Sequence, residues 1–188
     1  LQNMTVMAPA YENEFRQMLA TGFLLDSPTA VRYPRGAGPG IAVDPAMSTL
    51  PIGKAEVRRE GKRIALLAFG SMVSPALEAG EAFQTTVVNM RFVKPLDQEL
   101  VLKLARTHDL LITIEENAIA GGAGSAINEC LAAAGLATRV INLGLPDRFL
   151  EHGNHQEQLA QCGLDTVGIR RTILRYAPAE VPVKLESA

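Results

Sequence analysis

Three short stretches hold the residue types that could bind or convert a substrate. Val31-Arg32-Tyr33-Pro34-Arg35-Gly36 sets two arginines around a tyrosine and a proline. A guanidinium is a planar fork of donors that suits phosphate or carboxylate, and the proline stiffens the backbone that presents it. On the residues alone, a ligand contact and a domain-linking salt bridge or solvated charge both stay open for Arg32 and Arg35. Glu115-Glu116-Asn117 ends an apolar run and precedes Gly121-Gly122-Ala123-Gly124. Adjacent strand residues face opposite ways, so Glu115 and Glu116 do not make an acid–base pair by themselves. One is expected to be solvated, the other paired locally or across a subunit interface.

Gly122-Ala123-Gly124 before a helical pattern invites a nucleotide reading. The dinucleotide fingerprint needs a third glycine where Ile127 stands, which favours close packing. A helix N-terminus can still hold an anion. His152 and His155 lie three apart in a glycine-containing turn, with no carboxylate cluster to complete a zinc site. Asp147, Glu151 and His152 read as a hydrogen-bonded loop. Cys130 and Cys162 fall in expected helices, spaced for neither zinc nor a redox pair, and read as buried thiols.

The elements that must position these residues alternate. Thr5 to Ala8, stopped by Pro9, is a short strand, Tyr11 to Leu24 a helix with Phe15, Met18, Leu19 and Leu25 as its apolar stripe, and Thr29 to Tyr33 a second strand. Glu12 and Glu14 suit the helix dipole. Gly36 to Gly40, three glycines and a proline in five residues, opens a linker that runs to about Leu50. Lys54 to Arg59 and Arg63 to Phe69, joined across Glu60-Gly61-Lys62, carry a hairpin signal. Helix from Pro75 to about Ala82, strand from Thr85 to Met90 and a helix opened by Pro95-Leu96-Asp97 follow. Leu110 to Ile114 is an apolar strand feeding the glycine turn and its helix. Thr138 to Leu143 is the last strand, and Asp165 to Tyr176 the last helix.

The pattern predicts an α/β fold: the end of one α/β domain, then a second with a mostly parallel sheet and one antiparallel edge strand. The expected divisions are 1–36, a linker 37–50, a domain 51–176 and a loose tail 177–188. A hydrophobic share of 47% over 188 residues is ample for a core. A net charge of −2 gives no basic footprint for nucleic acid. No apolar run reaches membrane-spanning length, and no signal peptide is visible. The chain opens almost at once into a strand and reads as the continuation of something larger.

Met4-Thr5-Val6-Met7-Ala8-Pro9 with Glu12-Asn13-Glu14, then Ala30 to Gly36, resembles the end of a thiamine-enzyme pyrimidine-binding domain. Met90-Arg91-Phe92-Val93-Lys94-Pro95-Leu96-Asp97, Glu115-Glu116-Asn117 with Gly121 to Ala126, and Leu143 to Asp147 with Glu151-His152-Gly153 narrow it. As a set they resemble the C-terminal portion of the 1-deoxy-D-xylulose-5-phosphate synthase family, transketolase-like thiamine diphosphate enzymes. The resemblance covers nearly all of 1–176.

It implies a transferase that condenses pyruvate with glyceraldehyde 3-phosphate and releases carbon dioxide, feeding isoprenoid and thiamine synthesis. It further implies a cytoplasmic homodimer. Thiamine diphosphate and magnesium would be bound by upstream parts of the enzyme. The family's Gly-Asp-Gly magnesium motif is absent from these residues. This chain alone should therefore bind no cofactor and be inactive. Arg35 is the one position that matches a family active-site residue, an arginine holding the phosphate of the aldehyde. Arg32 and Tyr33 would be supports, and the second domain chiefly structural and part of a dimer interface, with the glycine-turn helix at or near it. Alternatives are the C-terminal part of a transketolase or a 2-oxoacid dehydrogenase β subunit, or a stand-alone anion-binding or interaction module built on the Gly121 turn.

Overall fold

A computed structural model describes residues 1–36 and 38–178. Most of the expected tail, 179–188, lies outside the described residues. The strands are β1 (Thr5–Met7), β2 (Thr29–Val31), β3 (Glu56–Arg59), β4 (Arg63–Ala68), β5 (Thr86–Asn89), β6 (Phe92–Lys94), β7 (His108–Ala118) and β8 (Arg139–Leu145). The helices are α1 (Glu12–Phe23), α2 (Val73–Glu81), α3 (Gln98–Thr107), α4 (Ala123–Ala133), α5 (His155–Gln161) and α6 (Thr166–Tyr176).

The main sheet has the order β3-β5-β4-β7-β8. All neighbours are parallel except β3, the antiparallel edge. Its central strands are buried on both faces, which is why Ile64 to Ala68 and, but for Thr113, Leu110 to Ile114 are apolar without alternation. Ile64, Leu66, Ala68, Leu110, Ile112 and Ile114 pack with Met72 and Ala76 from the β4–α2 segment and Ile169 and Ile173 of α6. Ala65, Leu67 and Leu111 turn the other way, onto Val101 and Leu104 of α3 and Ile127 and Leu131 of α4. Two helices on each face thus close a three-layer α/β unit.

The expected hairpin between residues 54–59 and 63–69 does not form. β3 pairs with β5 instead, and β4 lies on the other side of β5. The connection is the reason. Gly61 presses on the backbone at Gln84 to Thr86, where any Cβ would overlap it. Lys62 N donates to the Gln84 carbonyl at 3.0 Å and Gly61 N to Thr86 Oγ1 at 3.0 Å. The chain is thereby carried past the start of β5 rather than folded back on itself.

A second sheet, β2-β1-β6, joins the two parts of the chain: β1 is parallel to β2 and antiparallel to β6. β6 carries no strand signal of its own, because three residues are too few for periodicity to register. The core beneath is small, with Met7, Met18, Leu50 and Phe92.

Helix α1 does not bury the stripe its apolar residues suggest. Leu19 is exposed, and the buried positions are Glu14, Met18 and Thr21. Glu14 is buried because it is fully engaged. Its carboxylate accepts from Ala10 N, from Asn89 Nδ2 and from Arg91 Nε at 2.7 Å, and Arg91 reaches on to Glu56 at 2.8 Å. Burying a carboxylate is costly unless it is paired and hydrogen-bonded in this way. Residues 38–50 are strapped along α1 rather than loose. Gly40 N and Ile41 N donate to Glu12, Asp44 N to Asn13, and Leu50 N to Thr21 Oγ1. Amides, first that of Glu12 itself and then Gly40, hold the Glu12 carboxyl below its ordinary value.

Candidate functional site at the carboxyl edge of the sheet

β7 runs four residues beyond the expected end at Ile114, so Glu115 and Glu116 lie within it and their side chains take opposite sides. Glu115 is buried. Its Oε2 accepts from Ala123 N and its Oε1 from Gly124 N, each at 2.8 Å. The N-terminus of α4 is thus filled by an anion from its own chain, where the helix dipole favours one. An external phosphate has no free amides there, and the anion-module reading of the Gly121 turn loses its basis. Gly122 must be glycine because a Cβ would come within 2.6 Å of both Glu115 oxygens. Gly124 packs against Thr113 and Asn142 of the chain's own sheet. The close approach that its small size permits serves this internal packing.

Glu116 points the other way, to a junction of several elements. Its Oε2 accepts from Ser71 Oγ at 2.8 Å, and its Oε1 meets His155 Nε2 at 2.6 Å. Its main-chain carbonyl accepts from Arg32 Nη2. Ser71 follows β4, Glu116 lies two residues before the end of β7, and His155 lies beyond β8. All three come from the carboxyl side of parallel strands, the edge where open α/β sheets place function. His155 is not in a loop. Asn154 and Glu157 form a reciprocal capping box that starts α5, with Glu157 N donating to Asn154 Oδ1 at 2.9 Å and Asn154 N to Glu157 Oε2 at 3.1 Å. The Asn-x-x-Glu spacing was the readable signal for this helix.

Arg35, the residue singled out for phosphate, lies two residues after Tyr33 in the same segment. It is exposed and makes no hydrogen bond or ion pair with any described residue. Its approach is fixed by what precedes it. Tyr33 packs on Phe15, with ring centroids 4.6 Å apart, and Arg32 N donates to the Met7 carbonyl at 2.8 Å. Pro34 and Gly36 line a cavity of about 560 Å³ between the N-terminal unit and the main sheet, shared with Tyr11, Phe15, Ser71 and Gln156. Arg35 does not line it. The structure therefore brings Arg32, Ser71, Glu116 and His155 together and leaves Arg35, three residues after Arg32, with no partner among the described residues.

Other candidates recede. Burial pushes both thiols, Cys130 and Cys162, above their ordinary value, away from the reactive range. His152 does not join His155 at Glu116. Among the described residues no group of three or more His, Cys, Asp or Glu could hold a metal ion. Glu115 and Glu116 are already committed to amides, a hydroxyl and an imidazole. The carboxylates here thus offer no open ligand set for magnesium. No described helix is long and apolar enough to cross a membrane.

Residues 53–169 match the family described as "Transketolase, C-terminal domain". The chain belongs to that family. It is also 61% identical over 173 residues to the 1-deoxy-D-xylulose-5-phosphate synthase of Nitrosomonas eutropha, covering 92% of this chain and 28% of that protein. The synthase of Nitrosococcus oceani is 59% identical over 176 residues, covering 94% of this chain and 28% of that protein. The chain thus spans just over a quarter of the length of the curated relatives it matches. This bears out its resemblance to the C-terminal portion of such synthases. Among solved structures, a chain of a split-gene transketolase, described as an inactive beta4 tetramer, superposes with a TM-score of 0.75 at 29% identity, covering 93% of this chain and 57% of that one. The transketolase of Campylobacter jejuni gives 0.62 at 17% identity, covering 92% of this chain and 26% of that one, and shows the shared fold alone.

Proposed function

We propose that this transketolase C-terminal-like chain is part of a 1-deoxy-D-xylulose-5-phosphate synthase. That enzyme condenses pyruvate with glyceraldehyde 3-phosphate and releases carbon dioxide. The observation that carries the reading is identity near 60% over more than nine-tenths of the chain to proteins of that name. Identity of 29% to a split-gene transketolase supports the shared architecture, but it is about half as high.

In this reading the division of labour follows from the residues. Thiamine diphosphate and magnesium bind to the remainder of the enzyme, and the cofactor supplies the carbon–carbon chemistry. Residues 1–36 complete a pyrimidine-binding domain, 37–50 link it to the domain at 51–176, and the whole is a cytoplasmic homodimer. Arg35 holds the phosphate of the aldehyde substrate. An exposed guanidinium with no partner among the described residues, on a segment fixed by Pro34 and Tyr33, suits a charge-assisted, bidentate contact.

The test is product analysis with the full-length enzyme, cofactor and magnesium. Pyruvate and glyceraldehyde 3-phosphate should give 1-deoxy-D-xylulose 5-phosphate with one carbon dioxide per turnover. Ketol transfer between sugar phosphates, with no use of pyruvate, would assign the chain to a transketolase instead.

A further inference from the structure

Arg32 is exposed, yet its guanidinium is not free. It donates to the main-chain carbonyl of Glu116, 84 residues away in sequence. That carbonyl is itself fixed, because the side chain of the same residue is held on one oxygen by Ser71 and on the other by His155. The Glu116 side chain is only 14% exposed, so solvent competes little for it. On the near side, Arg32 N donates to the Met7 carbonyl and the Tyr33 ring packs on Phe15. The turn bearing Ser71 meets the same region, since Gly70 lies against Ala8 and Pro9. The root of the Arg35 segment is thus tied to both parts of the chain at once, and one stiff residue, Pro34, separates the last tie from Arg35.

We infer that Arg32 is a positioning residue for Arg35, acting through the Glu116 carbonyl that Ser71 and His155 hold in place. The inference rests on the reading of Arg35 as the phosphate contact. A bidentate contact demands a defined approach, and a displacement of about 1 Å at a substrate-positioning group can cost as much as 100-fold. Arg32 needs no contact with substrate for this. It fixes where the guanidinium of Arg35 starts from.

Steady-state kinetics of the full-length enzyme, with glyceraldehyde 3-phosphate and with unphosphorylated glyceraldehyde, tests it. Arg32→Met keeps much of the stem and removes the donor. It should raise KM for the phosphorylated aldehyde about tenfold, with a smaller change in kcat, and the loss should not extend to glyceraldehyde. Arg35→Ala should show the same selectivity. The double variant should be no worse than Arg35→Ala alone, because Arg32 has nothing left to position. Equal losses on both aldehydes in Arg32→Met, or additive losses in the double variant, overturn the inference while leaving Arg35 in its role. Arg35→Ala without phosphate selectivity overturns the role of Arg35 itself, and the inference with it. Should Arg32→Met fail to fold, Ser71→Ala combined with His155→Gln loosens the same carbonyl from the far side and must show the same selectivity.

Discussion

The carboxylate of Glu115 caps the helix that begins beside Gly124, at 2.8 Å from the Gly124 amide and 2.8 Å from that of Ala123. Two of the four amides that a helix leaves without internal partners are thus satisfied by one buried side chain eight residues upstream. Strand β7 and helix α4 are thereby locked together as a single unit. The two glycines between them, Gly121 and Gly122, are the geometric condition for that lock, since Gly122 has to pass within reach of the carboxylate.

Glu115→Gln should therefore destabilise the fold. A glutamine has one acceptor oxygen in place of two and no charge. It loses at least one hydrogen bond to a charged acceptor and turns an amino group toward backbone N–H donors. The expected cost is about 1.5–3 kcal/mol. Urea unfolding monitored by circular dichroism gives the number directly. A midpoint unchanged from the parent protein would show that the cap contributes nothing.

Gly124→Ala should cost about 1–3 kcal/mol by overpacking. The added methyl would overlap Asn142 Nδ2 and come within 2.5 Å of Thr113 Oγ1, both on the sheet beneath. Gly36→Ala is the control, because a Cβ there meets nothing within 4 Å. Thermal melts at several protein concentrations separate the causes. A shift independent of concentration fits an internal clash, whereas a shift that vanishes on dilution would place the contact between subunits.

Much of this was legible in the residues, and the failures have physical causes. The apolar runs 64–69 and 110–114 announced buried parallel strands, and Asp97 and Asp165 announced the starts of α3 and α6, where each accepts from an amide three residues on. Pairing was not legible: the 60–62 turn reads as a hairpin until Gly61 is seen pressed on β5. The purpose of Glu14 was not legible either. A carboxylate in a first helical turn suits the dipole wherever it points, and only the fold brings Asn89 and Arg91 to it. The same holds at the candidate site. Ser71, Glu116 and His155 are too far apart in sequence to form a motif. Arg35 and Glu116 both stood out by residue type, but the phosphate role of Arg35 came from resemblance and the partners of Glu116 only from geometry.

Stability should fall as the pH drops below about 6.5 because of His108. Burial, the largest cause, pushes its imidazole below the ordinary value of 6.5, against weaker opposing effects of the Leu104 carbonyl and Asp109. Its ring nitrogens are occupied by Thr86 Oγ1 at 2.8 Å and Thr107 Oγ1 at 2.9 Å. The unfolded chain then binds more protons than the folded one between the two pKa values, so unfolding free energy rises with pH through that window. The contribution is full above the unfolded value and is lost as pH falls through the folded one. Denaturation curves from pH 5 to 8 should show the slope in the parent and a smaller slope in His108→Gln. Parallel curves would assign the slope to other groups.

Arg35 offers the sharpest test of the functional reading. Its guanidinium has no partner among the described residues, so removing it leaves no buried group unsatisfied and should not perturb the fold. Whatever is lost in Arg35→Ala is then lost at the substrate. A hydrogen bond to a charged group is worth about 1.5–3 kcal/mol, or roughly ten- to a hundredfold in kcat/KM for glyceraldehyde 3-phosphate. Arg35→Lys keeps the charge but not the planar fork, and should recover only part of that loss. Pyruvate KM should hardly move, because pyruvate carries no phosphate to anchor. Unphosphorylated glyceraldehyde should be nearly indifferent to either substitution. Equal losses for glyceraldehyde and its phosphate, with an unchanged melting temperature, would take the phosphate away from Arg35 and return it to the role of a solvated charge.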